Sequence, residues 1–289
     1  MVIEFQGISK RYGKKIALRD FSATLKPGIY GLLGANGAGK TTLINLLVGL
    51  LKADSGRILV DGTVTRTLGR DFLSQIGYLP QYPEFYHDFT VKEFLRYMCA
   101  LKGIDARKGW RQAQELLQAV NLQDIEGKKI GALSGGMRQR LGIVEAVLGD
   151  PNILILDEPT AGLDPQERIR FRNLITRFSK DRTVLLATHI VSDVEFIANE
   201  VMILKEGSLI RQGAPKALED ELDGMVWTVT ISSDTEQDQF ADVKISNMRR
   251  DENGIVLRLI AQDKPHPDAQ LVRPSLEDVF LSFFGEAGV

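Results

Sequence analysis

A single cysteine, Cys99, stands in the whole chain, so no intramolecular disulfide can form. Such a chain suits a reducing compartment. Histidine is nearly as scarce, and His87 and His266 have no metal-ligand partners at useful spacing. No run approaches the roughly 18 apolar residues of a membrane-spanning helix, so the chain is not expected to cross a membrane by itself. The opening Met1-Val2-Ile3-Glu4-Phe5 lacks a basic stretch followed by an apolar one, and no secretory signal is expected there. Neither sign of charge is in excess: 36 basic residues face 38 acidic ones, for a net charge of −2. That balance carries no footprint for DNA or RNA, and no nucleic-acid partner is expected. Internal repeats and low-complexity tracts are lacking too.

The remaining composition is that of an ordinary globular protein, 44% hydrophobic and 26% charged over 289 residues. This length allows one large or two modest domains with a substantial core. Within it lies Gly34-Ala35-Asn36-Gly37-Ala38-Gly39-Lys40-Thr41-Thr42. The stretch fits G-x-x-x-x-G-K-[ST] without substitution. Ile29-Tyr30-Gly31-Leu32-Leu33 before it suits a buried strand, and Leu43-Ile44-Asn45-Leu46-Leu47-Val48 after it suits a helix. Glycines let the backbone curl around phosphates, with successive N–H groups pointing inward. The helix N-terminus adds partial positive charge. Lys40 supplies a full charge toward the β- and γ-phosphates, and the Thr41 hydroxyl can ligate Mg²⁺. The stretch therefore points to nucleotide binding.

The flanking pattern is alternating α/β. Val2–Phe5 and Ala23–Leu25 read as short strands, with Arg11-Tyr12-Gly13-Lys14-Lys15 as a basic turn between them. Arg57–Gly62 and Ile76–Gln81 read as strands ending in a turn and at a proline. Residues 82–132 become helical. Thr90 and Glu93 form a capping-box pattern, followed by Val91, Phe94, Leu95 and Met98 on one face. Trp110, Ala113, Leu117 and Val120 make a second amphipathic run. Cys99 falls on or beside the apolar face and reads as core. A helix is expected over 135–149, then the strand Ile153–Leu156. Another helix starts with Asp164 as cap, Pro165 in the first turn and Glu167 completing the box. Thr183–Ala187 reads as a buried strand, and Val201–Leu204 with Ser208–Ile210 as a hairpin around Glu206-Gly207. Strands separated by helices indicate a mostly parallel sheet. Beyond residue 220, Val226–Ile231 and Ile255–Ile260 alternate like strands, a polar stretch lies between them, and Ser275 caps a final helix. Trp227 reads as core there. Two readings stand for the aromatics Tyr82, Phe85, Tyr86 and Phe89: local core, or a groove accepting a partner's helix.

Ile153-Leu154-Ile155-Leu156 ends in two carboxylates, Asp157 and Glu158. Ligands of parallel sheets sit at the carboxyl ends of strands. Asp157 is thus expected beside the phosphate loop, where it can hold a Mg²⁺ ion. Glu158 points elsewhere and can orient or deprotonate an attacking water. Upstream, Leu133-Ser134-Gly135-Gly136-Met137 precedes Arg138-Gln139-Arg140. Ser134 can cap a helix whose N–H groups make an anion site, with Gly135 and Gly136 allowing close approach.

Together these motifs resemble the ATP-binding cassette (ABC) ATPases over about residues 1–220. The resemblance implies an α/β P-loop NTPase core with an antiparallel β subdomain and a helical insert at about 82–150. A small C-terminal α+β appendage over 221–289 would follow. It also implies ATP and Mg²⁺ as ligands. Tyr12 matches the aromatic that stacks on adenine. Gln81 matches the glutamine that reaches Mg²⁺ and the attacking water. Ala161-Gly162-Leu163-Asp164 resembles the loop that communicates between two nucleotide sites, and His189 the histidine that contacts the γ-phosphate and positions Glu158. In that family Ser134, Gly135 and Gly136 would grip ATP bound to another subunit. The partners implied are a second ATPase subunit, in a homo- or heterodimer, and an integral membrane permease, close to whose coupling helix the segment after Gln81 would lie. The implied place is the cytoplasmic face of a bacterial membrane, held there through the permease. Met137 stands where many members have glutamine, a feature similar to one bacterial export-type subgroup, as is Pro274–Leu281. A DNA- or ribosome-acting ABC ATPase is the alternative. Its usual long coiled-coil insert or second cassette is lacking. A plain P-loop kinase or GTPase fits less well, given the signature motif and the lack of Asn-Lys-x-Asp.

Overall fold

A computed structural model describes residues 1–232, 239–252 and 254–285. Parts of the expected appendage, 233–238, 253 and 286–289, lie outside the described residues. Two compact units divide the chain, Met1–Ile210 and Arg211–Val289.

In the first unit, β1 (Ile3–Tyr12) and β2 (Lys15–Leu25) form an antiparallel pair. The expected basic turn is shorter than its five residues. Tyr12 and Lys15 already pair across the ladder, and only Gly13 (φ 57°) and Lys14 turn the chain. Alternate residues of β1 and β2 bury Ile3, Phe5, Phe21 and Leu25, and this one-sided burial carries both strands well past the short runs read from sequence. Next come β3 (Gly28–Leu33), α1 (Lys40–Leu47), β4 (Ser55–Val60), β5 (Thr63–Val64), α2 (Thr65–Leu68), α3 (Arg70–Leu73) and β6 (Ile76–Leu79). The first sheet runs β2-β1-β4-β5.

Helices α4 (Val91–Leu101) and α5 (Ala106–Ala119) build the insert. The Thr90–Glu93 capping box forms as the pattern indicates, worth about 1 kcal/mol. Val91, Phe94, Leu95 and Cys99 pack with Ala113, Leu117 and Val120 in one apolar cluster. The stretch 82–90 contains no helix.

The chain then re-enters the core through α6 (Gly135–Val147), β7 (Ile153–Asp157), α7 (Pro165–Phe178), β8 (Thr183–Thr188), α8 (Val191–Glu195), β9 (Glu200–Lys205) and β10 (Ser208–Gly213). The second sheet runs β10-β9-β3-β8-β7-β6, with β3, β6, β7, β8 and β9 parallel. Its central strands are largely apolar, and β7 and β8 are buried along their whole length, as a sheet covered on both faces requires. One expectation fails at α7. Asp164 caps the helix, accepting from Glu167 N at 2.8 Å. The Glu167 carboxylate does not complete the box but pairs with Arg140 on α6 at 2.8 Å. A charged, bidentate-capable guanidinium outcompetes a single backbone N–H for that carboxylate.

The second unit holds α9 (Pro215–Asp220), β11 (Val226–Ile231), β12 (Lys244–Asp251), β13 (Gly254–Ile260), β14 (Gln270–Leu271) and α10 (Leu276–Phe284). Its antiparallel sheet runs β12-β13-β11-β14. Val229, Ile231, Ile255, Leu257 and Leu259 bury one face, with Trp227 packed against them. Arg258 and Asp278 pair at 2.7 Å, tying β13 to α10.

Candidate functional site

Parallel register assembles the site. Leu33 at the end of β3 pairs with Thr188 at the end of β8. Asp157 at the end of β7 pairs with Ala187, and Leu79 of β6 with Leu156. Four strands thus release their chains at one edge of the sheet: loop 34–39 after β3, Gln81 after β6, Glu158 after β7 and His189 after β8. This is the carboxyl-end crevice where α/β sheets bind ligands.

A cavity of about 390 Å³ opens there. Tyr12, Ala35 through Thr42, Gln81, Asp157 and Glu158 line it, together with Lys15 and Ala17. Gly39 caps α1 at φ 111°, and a Cβ there would meet Ala17 O at 2.4 Å, so only glycine fits. Gly37, at φ 82°, faces open space where a phosphate can approach the backbone. Lys40 is buried, and its ammonium donates to Gly34 O at 2.5 Å, folding the side chain back over the loop. Burial pulls this ammonium below the usual lysine range, against the opposing charges of Glu158 and Asp157. An anion in the cavity would favour its charged form.

Two carboxylates divide the chemistry. Thr41 Oγ1 donates to Asp157 Oδ2 at 2.9 Å. The other oxygen, Asp157 Oδ1, is buried with no hydrogen-bond partner among the described residues. Burial pushes the Asp157 carboxyl up, and neighbouring Glu158 adds to the shift. A buried carboxylate oxygen left open beside a threonine hydroxyl fits a hard divalent cation, which takes oxygen ligands. Glu158 turns differently. Its backbone sits in the left-handed region at φ 50°, a conformation that costs a non-glycine residue free energy and clusters at functional sites. Glu158 Oε1 lies 3.7 Å from Lys40 Nζ, and Oε2 lies 2.9 Å from His189 Nδ1 and accepts from Thr188 Oγ1 at 3.2 Å.

All the expected residues of the phosphate loop and the acid pair therefore meet. Tyr12 stands 46% exposed at the rim, with Lys10 Nζ 5.9 Å from its ring centroid. Ser134, Gly135 and Gly136 do not line this cavity. Ser134 caps α6, accepting from Met137 N at 3.2 Å, and with Gly135 it is exposed to solvent. Gln139 donates to Pro159 O at 3.1 Å, holding α6 to the segment after Glu158. Sequence reasoning passed over Lys15, Ala17, Thr188 and Gln139. Thr188 had a signal, since it sits between the buried strand and His189. The others depend on distant partners and had none.

Comparison with known proteins agrees with this geometry. The family profile described as "ABC transporter" matches residues 18–161. A Nod factor export ATP-binding protein I of Burkholderia orbicola is 38% identical over 218 residues, 75% of this chain and 72% of that protein. A protein of the same name from Rhizobium sp. is 32% identical over 297 residues, 99% of this chain and 97% of its own length. A solved structure described as the ATP-binding subunit of an ABC transporter superposes with a TM-score of 0.71 at 27% identity, covering 76% of this chain and 93% of that one. With the phosphate loop, the acid pair and the exposed serine-capped helix all in place, the chain belongs to the ABC transporter family as an ATP-binding, ATP-hydrolysing subunit.

Proposed function

We propose that this protein works as a head-to-tail pair which closes on ATP and reopens on hydrolysis, driving export through a separate membrane permease. The observation that carries the reading is the separation of the two anion sites. The phosphate loop and acid pair share one cavity, while Ser134, Gly135 and Gly136 lie outside it, Ser134 and Gly135 exposed to solvent and Gly136 half-buried. A second subunit would bring those three residues over the nucleotide. Residues 1–220 would form the nucleotide-binding domain, with 82–150 as its helical part. Residues 221–289 would be an accessory domain. No described helix is long and apolar enough to cross a membrane, so a partner would supply the substrate path and hold the protein at the membrane's cytoplasmic face. Export as the direction, and a bacterial membrane as the setting, follow the names of the relatives that align along the chain.

In this reading the backbone of 34–39 and Lys40 bind the phosphates, and Tyr12 stacks on the base. Thr41, Gln81 and Asp157 would hold Mg²⁺, which neutralises phosphate charge when bound. Glu158 accepts a proton from the attacking water, while His189 and Thr188 hold its carboxylate in place. The Glu158 contact with Lys40 is long enough to yield to a phosphate.

Mixing two inactive variants tests the shared site. Lys40→Ala and Ser134→Arg would each disable both sites of a homodimer. A mixed dimer of the two keeps one intact site. Activity is expected to recover to about a quarter of wild type, since half the dimers are mixed and half of their sites are whole. No recovery, with mixed dimers present, would overturn the head-to-tail arrangement.

A further inference from the structure

Asp193 is a carboxylate that the chemistry above does not use. It is 1% exposed, on the short helix α8. The Thr160 hydroxyl, itself fully buried, donates to Asp193 Oδ2. Arg168 Nη1 of α7 lies 4.0 Å from Oδ1. Burial pushes the Asp193 carboxyl up, with Thr160, Arg168 and Arg172 opposing. A buried carboxylate is costly to keep and needs partners to hold it.

These contacts close a ring around the proposed catalytic pair. From Glu158 the chain runs two residues to Thr160. The hydrogen bond crosses to Asp193, and the chain runs back to His189. The 2.9 Å contact from His189 Nδ1 to Glu158 Oε2 completes the circuit. The strands that carry both residues are joined by Glu158 N donating to Ala187 O at 2.8 Å and by Thr188 Oγ1 donating to Glu158 Oε2 at 3.2 Å, and the Thr160–Asp193 bond adds a further tie from the segment after β7 to the helix after His189. Arg168 also donates to Leu163 O at 3.3 Å, so the same guanidinium steadies the loop between Thr160 and α7.

We propose that Asp193 is a positioning residue for ATP hydrolysis, acting through Thr160 to hold Glu158 and His189 in register. It does not line the nucleotide cavity. Its effect is on the placement of the carboxylate that accepts the proton. This inference rests on the roles proposed for Glu158 and His189.

The test is steady-state ATP hydrolysis by full-length Asp193→Ala and Thr160→Val, with nucleotide affinity and melting temperature measured in parallel. The kcat is expected to fall about 10–100-fold, the cost of misplacing a catalytic group by about an ångström. KM and nucleotide affinity should stay within about twofold. Thr160→Ser, which keeps the hydroxyl, should restore kcat. In a His189→Ala background, Asp193→Ala should add little, because both act on the same carboxylate. Wild-type kcat in Thr160→Val and Asp193→Ala would overturn the proposal, as would losses that multiply with His189→Ala. If Asp193→Ala does not fold, the Thr160 pair decides alone. A His189→Ala variant with wild-type kcat would instead remove the assumed role of His189, a result separate from the Thr160 outcome.

Discussion

Thr41 Oγ1 donates to one oxygen of Asp157 at 2.9 Å and leaves the other buried without a partner among the described residues. The two residues come from α1 and β7 and lie 116 positions apart. An unpaired buried carboxylate oxygen is costly, and a divalent cation held there would remove the cost. Chelating divalent cations is therefore expected to abolish phosphate release. Asp157→Asn should raise the Mg²⁺ concentration for half-maximal activity by about tenfold or more, one charged ligand being lost. A Mg²⁺ titration of phosphate release checks this, and an unchanged midpoint would remove Asp157 from the metal site.

Lys40 is held over the loop by Gly34 O. Replacing it with alanine removes a charge aimed at phosphate and leaves Glu158 without its cationic neighbour. A charge-assisted hydrogen bond contributes about 1.5–3 kcal/mol, so nucleotide affinity is expected to fall about 10- to 150-fold. Titration calorimetry on the purified protein measures it. Undiminished affinity would count against the phosphate role.

Glu158→Gln keeps the shape of the side chain and its contact with Thr188, but removes the proposed proton acceptor. Turnover is expected to fall about 10²–10⁴-fold with ATP binding retained. The ATP-bound pair should then accumulate, visible by light scattering as a doubling of mass. Phosphate release at the wild-type rate would sink the assignment.

Asp278 is buried in the second unit, where burial alone would raise its pKa. Hydrogen bonds from Arg258, Ser246 and Ser275 more than offset that, and the carboxyl sits below its ordinary range. A carboxyl with a depressed folded pKa stabilises the fold above its unfolded pKa, and that contribution is lost as pH falls through the folded value. Below about pH 4 the unit should lose stability progressively. Asp278→Ala leaves the Arg258 charge half-buried and should cost about 3–5 kcal/mol. Denaturant unfolding followed by Trp227 fluorescence against pH reads both effects.

Much of the fold was legible where neighbours in sequence decide the outcome. The phosphate loop, the Thr90–Glu93 box and the Ser275 cap formed as their patterns require, because each involves groups within a few residues. Strand β12 was not legible. Its last five residues, Asn247–Asp251, are exposed on an outer edge and all but Met248 are polar, so no alternation marks them, and pairing with β13 alone makes them a strand. Glu167 illustrates the same limit at one side chain: local spacing points back to Asp164, and Arg140 on another helix takes the carboxylate.

The sequence by itself determined the chemistry available to this protein: a glycine loop for phosphate, two acids after an apolar strand, a serine-capped anion site and a chain without a described membrane span. Each of these depends on local backbone conformation and residue type. The tertiary structure alone decided which groups meet. Parallel pairing of β3, β8 and β7 brings Thr41 to Asp157, Glu158 to His189 and Thr160 to Asp193. Hydrogen bonding between strands sets that register, and burial of their apolar side chains on both faces keeps it, so contacts between residues far apart in sequence were fixed only once the sheet had formed.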